Sequence, residues 1–173
     1  LSTLEHVVSL GAAVLTVSDT RNAGNDASGD YLEAALRTAG HSLRERALCP
    51  DDVYRLRAVV SGWIADESIQ VILITGGTGF TGRDSTPEAI EPLLDKAMPG
   101  FGELFRVLSF EEIGTSSLQS RAFAGLANGT FVFGLPGSTS ACRSAWEKLI
   151  AAQLDARTQP CNLAALAPRL RET

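Results

Sequence analysis

Residues 70–89 read QVILITGGTGFTGRDSTPEA, and this stretch decides the fold. The apolar run Val71-Ile72-Leu73-Ile74 predicts a buried strand. It passes through Thr75 into a turn of closely spaced glycines, Gly76-Gly77-Thr78-Gly79, and then past Asp84 to a helix start at Thr86-Pro87. Glycines at this spacing let backbone N–H groups converge on a phosphate without interference from Cβ atoms. A carboxylate close by can hold Mg²⁺ against that phosphate. The reading is therefore a nucleotide-handling loop, with Thr75, Gly76, Gly77, Thr78 and Gly79 as phosphate-binding residues and Asp84 as a metal ligand.

Two familiar phosphate motifs nearly fit and fail. Gly77, Gly79 and Gly82 satisfy the G-x-G-x-x-G spacing, but Arg83-Asp84-Ser85-Thr86 separate it from the helix, and the region near Gly102 is no strand end. Gly77 and Gly82 also have the spacing of a P-loop, yet Arg83-Asp84 stand where Lys-Ser/Thr belongs. A plain strand-to-helix turn is the alternative; the density of glycines weighs against it.

Outward from this stretch, strands and helices alternate. Strands are predicted at 11–17, 42–48 (polar, nearer an edge, broken by Pro50), 70–75 and 130–135. Helices are predicted from Ser28 as N-cap to a stop at Gly40, from Asp51 onward with Leu56 and Val60 on the apolar face, over 87–97, within 99–114, over 117–127, and after Pro136-Gly137-Ser138 through Leu154. Continuous apolar strands between helices predict a three-layer α/β/α fold with a mainly parallel central sheet. One domain over 1–173 is expected, with 159–173 a tail, irregular or packed at a subunit interface.

With 173 residues, 45% of them hydrophobic, the chain can bury a substantial core. A net charge of −5 argues against nucleic acid as a partner. Arg44, Arg46, Arg55 and Arg57 alternate with Glu45, Asp51 and Asp52 and read as a solvated face. Cys49, Cys142 and Cys161 form no C-x-x-C, and His6 and His41 build no zinc spacing, so a reducing compartment is expected. Asn128-Gly129-Thr130 matches a glycosylation sequon and is read as a turn. Residues 7–17 lack the basic flank and cleavage site of a signal peptide, and no apolar run has membrane-spanning length; the expected location is cytoplasmic.

In a parallel sheet, ligands gather beyond the carboxyl ends of the strands. Four such ends carry polar or glycine-rich turns: Ser18-Asp19-Thr20, Pro50-Asp51-Asp52, Gly76 to Asp84, and Pro136-Gly137-Ser138. Their convergence is the main reason to expect an active site. Asp84 needs no capping role, since Ser85 and Thr86 offer capping oxygens. Asp51, after Pro50 at a helix start, reads from its position alone as an N-cap or dipole partner. Ser138 reads as both N-cap and anion contact.

The GGTG and RDSTPEA segments, with LTVSD (15–19), PDD (50–52), MPGFGE (98–103) and LPGS (135–138), resemble the molybdopterin adenylyltransferase family of molybdenum cofactor biosynthesis. LSFEEIGTSSLQSRAFAG and CRSAWEKLIAAQLDARTQPCN are more similar to its MoaB branch than to its MogA branch. The resemblance covers nearly the whole chain. It implies the MogA/MoaB-like fold and Mg²⁺-dependent adenylylation of molybdopterin by ATP. Asp51 then joins Asp84 as catalytic, metal-holding carboxylate. Ser18, Asp19, Glu103, Arg121, Pro136, Gly137 and Ser138 become substrate-binding residues. It implies a homotrimer or homohexamer, with other enzymes of the pathway as partners. It also leaves rivals: a catalytically weak or inactive MoaB-type protein that binds pterin or nucleotide, against which the retained Asp51 and Asp84 speak, and the related domain of CinA-type proteins linked to nucleotide hydrolysis.

Overall fold

The computed structural model describes residues 7–171; His6, the first six residues of the expected domain and the last two of its tail lie outside them. A six-stranded sheet runs in the order β2-β1-β3-β6-β5-β4. Its strands are β1 (Gly11–Val17), β2 (Ser42–Cys49), β3 (Val71–Thr75), β4 (Lys96–Ala97), β5 (Phe123–Ala127) and β6 (Thr130–Leu135). β2, β1, β3 and β6 are parallel, whereas β5 pairs antiparallel with both β6 and β4. The predicted mainly parallel sheet between helical layers is thus present, and β2 occupies an edge as expected.

Because alternate side chains of a strand face opposite ways, the sheet feeds two apolar layers. Ala12, Val14, Val71, Leu73, Phe131 and Phe133 pack under α1 (Ala27–Thr38), α4 (Pro99–Ile113) and the last helical stretch. Ala13, Leu15, Ile72, Ile74 and Val132 pack under α2 (Val53–Ala65) and α3 (Thr86–Ile90). The last stretch is α5 (Thr139–Ala145), a π segment at Trp146–Ile150, and α6 (Ala151–Leu154).

Several local expectations are corrected. The N-cap of α1 is Asp26, whose carboxylate accepts from the Gly29 N–H, not Ser28. The helix expected over 87–97 ends at Ile90; Pro92 cannot donate to a continuing ladder, so a short 3₁₀ turn follows and the chain enters β4. The helix expected over 117–127 is a 3₁₀ turn at Gly114–Gln119 followed by β5. Asn128 and Gly129 both have positive φ (47° and 78°), as a tight hairpin between β5 and β6 requires. Within the tail, α7 (Leu163–Leu166) packs on the chain's own core: Ala164 is buried, with Leu163, Ala167 and Leu170 against the same layer. Nor are the arginines a uniform solvated face, since Arg46 is enclosed by Asp26, Asp30 and Glu33, and Arg57 donates to the carbonyls of Glu88 and Ala89 at the end of α3.

Candidate active site

Four parallel strands place their carboxyl ends on one edge of the sheet, so the four turns expected to converge do so. β3 and β6 are tied there by the Gly76 N–H donating to the Leu135 carbonyl (3.0 Å) and Thr75 Oγ1 donating to the Pro136 carbonyl (2.8 Å). Gly76 and Gly77 turn the chain with φ of 104° and 68°, a region open to glycine. The glycines also admit the carboxylates. A Cβ on Gly77 would lie 2.6 Å from Asp51 Oδ2, and one on Gly79 2.7 Å from Asp84 Oδ2. Both acids named from sequence therefore sit against the glycine loop.

Asp51 is not the cap of α2. That role belongs to Asp52, whose Oδ1 accepts from the N–H groups of Tyr54 (3.1 Å) and Arg55 (2.9 Å). Asp51 is instead buried, its N–H donating to Asp19 Oδ1 (3.0 Å) and its Oδ1 accepting from the Ser85 N–H (3.1 Å) and hydroxyl. Ser85 spends its hydroxyl there and does not cap α3; Thr86 Oγ1 likewise donates to the Gly76 carbonyl (2.9 Å). The capping oxygens expected of these two residues thus build the site. Asp84 Oδ2 accepts from the Thr81 N–H (2.8 Å) and Oγ1 (2.7 Å). Asp19 also pairs with Arg83 (2.7 Å), an exposed link from the end of β1 to the glycine loop.

The two acids differ in charge preference. Burial, against the hydrogen bonds from Ser85 and with the fields of Asp84 and Asp19, raises the Asp51 carboxyl above its ordinary 3.8. At Asp84 burial acts in the same direction, but hydrogen bonds from Thr81 and Gly79 and the field of Arg121 outweigh it and lower the carboxyl. Among the described residues no group of three or more His, Cys, Asp or Glu side chains is arranged to hold a metal. Two carboxylates beside a phosphate loop nonetheless fit Mg²⁺, which characteristically takes one or two carboxylates and completes its shell with water and substrate phosphates. The raised Asp51 carboxyl fits too, because a cation would relieve the repulsion among neighbouring acids.

A cleft of about 550 Å³ opens over this edge. Ser18, Gly76, Gly77, Thr78, Gly79, Asp84, Pro136, Gly137 and Ser138 line it, so most residues expected at the site share one wall or another. Thr75, Asp19 and Asp51 are not among its lining residues, Asp51 being buried against Gly77; nor are Glu103 and Arg121. Glu103 and Arg121 line a neighbouring hollow of about 580 Å³ that meets the cleft at Ser120. Arg121 donates to the carbonyls of Gly79 (2.7 Å) and Asp84 (2.8 Å), pairs with Glu88 and lies over the Phe80 ring, bracing the glycine loop from outside. Sequence reading missed Arg21, which lines the cleft from the polar turn after β1, and the α4 residues Phe105 and Ser109.

A family model described as "probable molybdopterin binding domain" matches residues 13–156. Molybdenum cofactor biosynthesis protein B of Escherichia coli strain K12 is 58% identical over 150 residues, which cover 87% of this chain and 88% of that protein. The chain belongs to the molybdenum cofactor biosynthesis protein B (MoaB) family. Solved MoaB structures agree: one superposes with a TM-score of 0.87 at 36% identity, covering 98% of this chain and all of the other. The tungsten cofactor synthesizing protein MoaB from Pyrococcus furiosus gives 0.75 at 35% identity, covering 82% and 90%. The matched segment, 13–156, contains all four turns of this MoaB-family cleft. Among the described residues no helix is long and apolar enough to cross a membrane.

Proposed function

We propose that this chain acts in molybdenum cofactor biosynthesis by transferring AMP from ATP to molybdopterin. The terminal phosphate of molybdopterin attacks the α-phosphorus of ATP, the bond to the β-phosphate oxygen breaks, and pyrophosphate leaves. The nucleophile is already anionic, so catalysis requires alignment and charge neutralisation rather than a strong base. The observation that carries this reading is the placement of Asp51 and Asp84 against a glycine loop whose bend excludes Cβ atoms. Those two carboxylates would hold Mg²⁺, which when bound neutralises triphosphate charge. The loop backbone of Gly76 to Gly79 receives phosphate, and Pro136 to Ser138 form the opposite wall. The decisive test is to incubate purified protein with molybdopterin, ATP and Mg²⁺ and follow adenylylated product. Binding of both substrates without product would move the chain to the catalytically inactive, binding-only reading.

The pH dependence follows from Asp51. Its ionised form is the one a cation needs, and its carboxyl lies above 3.8. At subsaturating Mg²⁺ the transfer rate should therefore fall on the acid side, rising Mg²⁺ should move that limb to lower pH because the cation favours the carboxylate, and the limb should be missing from the residual activity of Asp51→Asn. An acid limb that stays unchanged in the variant would detach it from Asp51.

We also propose that the protein is a homotrimer or homohexamer. In the tail, Leu163, Ala164 and Ala167 pack on the chain's own core while Leu166 stays exposed. Exposed apolar side chains on α4 support the oligomer: Leu104, Val107 and Phe110 are each more than half exposed (56% to 58%), apolar surface of the kind that marks interfaces. Light scattering should give three or six chains per particle; a stable monomer at micromolar concentration would overturn it.

A further inference from the structure

Two polyanionic substrates meet in the proposed reaction, yet the cleft is poor in positive charge. Among the described residues lining it, Arg21 is the one side-chain cation and Asp84 the one carboxylate. Arg121, the cation expected from sequence to meet the pterin substrate, is engaged with the carbonyls of Gly79 and Asp84 and with Glu88.

Arg21 is built in rather than loosely placed. Its N–H donates to Ser18 Oγ (3.0 Å), fixing the backbone of the turn. Its guanidinium donates to the Gly137 carbonyl (3.0 Å) and to Ser28 Oγ (3.1 Å), and the side chain remains 32% exposed. Asp26 stands behind it at 3.8 Å, but that carboxylate is closer to Arg46 (3.0 Å), so the charge of Arg21 is only partly offset. A planar guanidinium held at one edge presents its remaining N–H groups as a fork, the geometry that suits a phosphate. The turn after β1 and the turn after β6 meet at this point; Asp84 belongs to the turn after β3.

We propose that Arg21 binds the phosphate monoester of the non-nucleotide substrate, on the β6 side of the cleft, while the triphosphate is held on the glycine-loop side, where Asp84 lines the cleft. This assignment rests on the adenylyl-transfer reading for the identity of the substrate, but the anion contact itself does not. The test uses Arg21→Gln, Arg21→Lys and, as a control outside the cleft, Arg143→Gln. Two ligands are titrated: molybdopterin by equilibrium binding, and inorganic phosphate by the NMR shifts of the Arg21 side-chain N–H and the Gly137 and Ser138 amides.

Arg21→Gln should weaken molybdopterin roughly 10- to 100-fold, the worth of a charge-assisted contact, and leave ATP·Mg²⁺ within about twofold. It should also abolish the phosphate-induced shifts at Gly137 and Ser138. Arg21→Lys should recover part of both, and Arg143→Gln should behave as wild type. Unchanged molybdopterin affinity in Arg21→Gln, with turnover intact in the wild type, overturns the assignment and leaves the adenylyl-transfer reading standing. Equal weakening of ATP and molybdopterin, with a lowered melting temperature, also overturns it, because that pattern belongs to a scaffold residue. A wild type that shows the phosphate shifts at Arg21 but no transfer overturns the reaction and supports the anion site; one that shows neither overturns both.

Discussion

Asp51→Asn should slow adenylyl transfer by about 10²–10³-fold, or roughly 3–4 kcal/mol of transition-state stabilisation, while leaving the protein at least as stable as the wild type. The two halves of this expectation come from one fact. Asp51 is buried beside Asp84 and Asp19, and its carboxyl lies above the ordinary aspartate value. A carboxyl raised in the folded state favours folding below its unfolded value of 3.8, and this advantage is lost as pH rises through the higher folded value. At neutral pH the ionised Asp51 therefore costs stability, and asparagine removes that cost while its carbonyl still accepts from Ser85. Helix α2 is unaffected, since Asp52 is its cap. Asp84→Asn should lose a comparable factor in rate but gain no stability, because hydrogen bonds hold Asp84 in its charged form. Thermal melts and transfer rates on the same preparations check both. Full activity in Asp51→Asn would return the residue to a structural role, with Asp84 the remaining metal candidate.

Asp26→Ala should destabilise the fold by about 3–5 kcal/mol, a large share of the stability of an ordinary domain. The Asp26 side chain is fully buried and accepts from Thr16 Oγ1 (2.7 Å), the Gly29 N–H (3.0 Å) and Arg46 (3.0 Å). Alanine leaves a buried hydroxyl and a helix N–H without their acceptor. Burial works against the Asp26 charge, but the bonds from Thr16, Gly29 and Arg46 outweigh it and lower the carboxyl below 3.8. Its contribution is thus in force above 3.8 and lost as pH falls through the lower folded value. Asp26→Asn keeps an acceptor and should cost less, roughly 1–2 kcal/mol. Denaturant titrations near neutral pH measure both; a loss under about 1 kcal/mol for alanine would show that water replaces the missing oxygens.

The parallel strands were legible because each is a continuous apolar run ending in a polar turn, and their convergence followed from topology. β5 was not. Its sequence, FAGLA, lacks the branched and aromatic density of a strand, and the Leu118 to Ala127 spacing imitates a helix. The signal lay one step further on, in the Asn128-Gly129 pair, a strong short-range mark of a hairpin. The choice between Asp51 and Asp52 as cap was hidden for another reason: both are aspartates after a proline, and only backbone geometry distinguishes them. Asp52 has the extended conformation of a cap (φ −135°, ψ 122°). Arg21 was out of reach because its partners, Ser28 and Gly137, are brought to it by the tertiary fold. Glu103 and Arg121 were carried over by resemblance, and the structure seats them in the neighbouring hollow.

The sheet joins β3 directly to β6, although α3, β4, α4 and β5 come between them in the chain. The glycine-loop side of the cleft, with Asp51 packed against it, is therefore complete in sequence well before the side formed by Pro136 to Ser138 has been synthesised. β1, β2 and β3 with α1 and α2 are neighbours in the chain and pair with each other, whereas β6 comes from far beyond them in sequence. The anchors that hold the glycine loop and Arg21 in place, the Leu135, Pro136 and Gly137 carbonyls, arrive only when β6 docks. A chain synthesised only as far as β5 carries the acids without the wall that faces them, so the cleft is incomplete until β6 and the turn after it have been added.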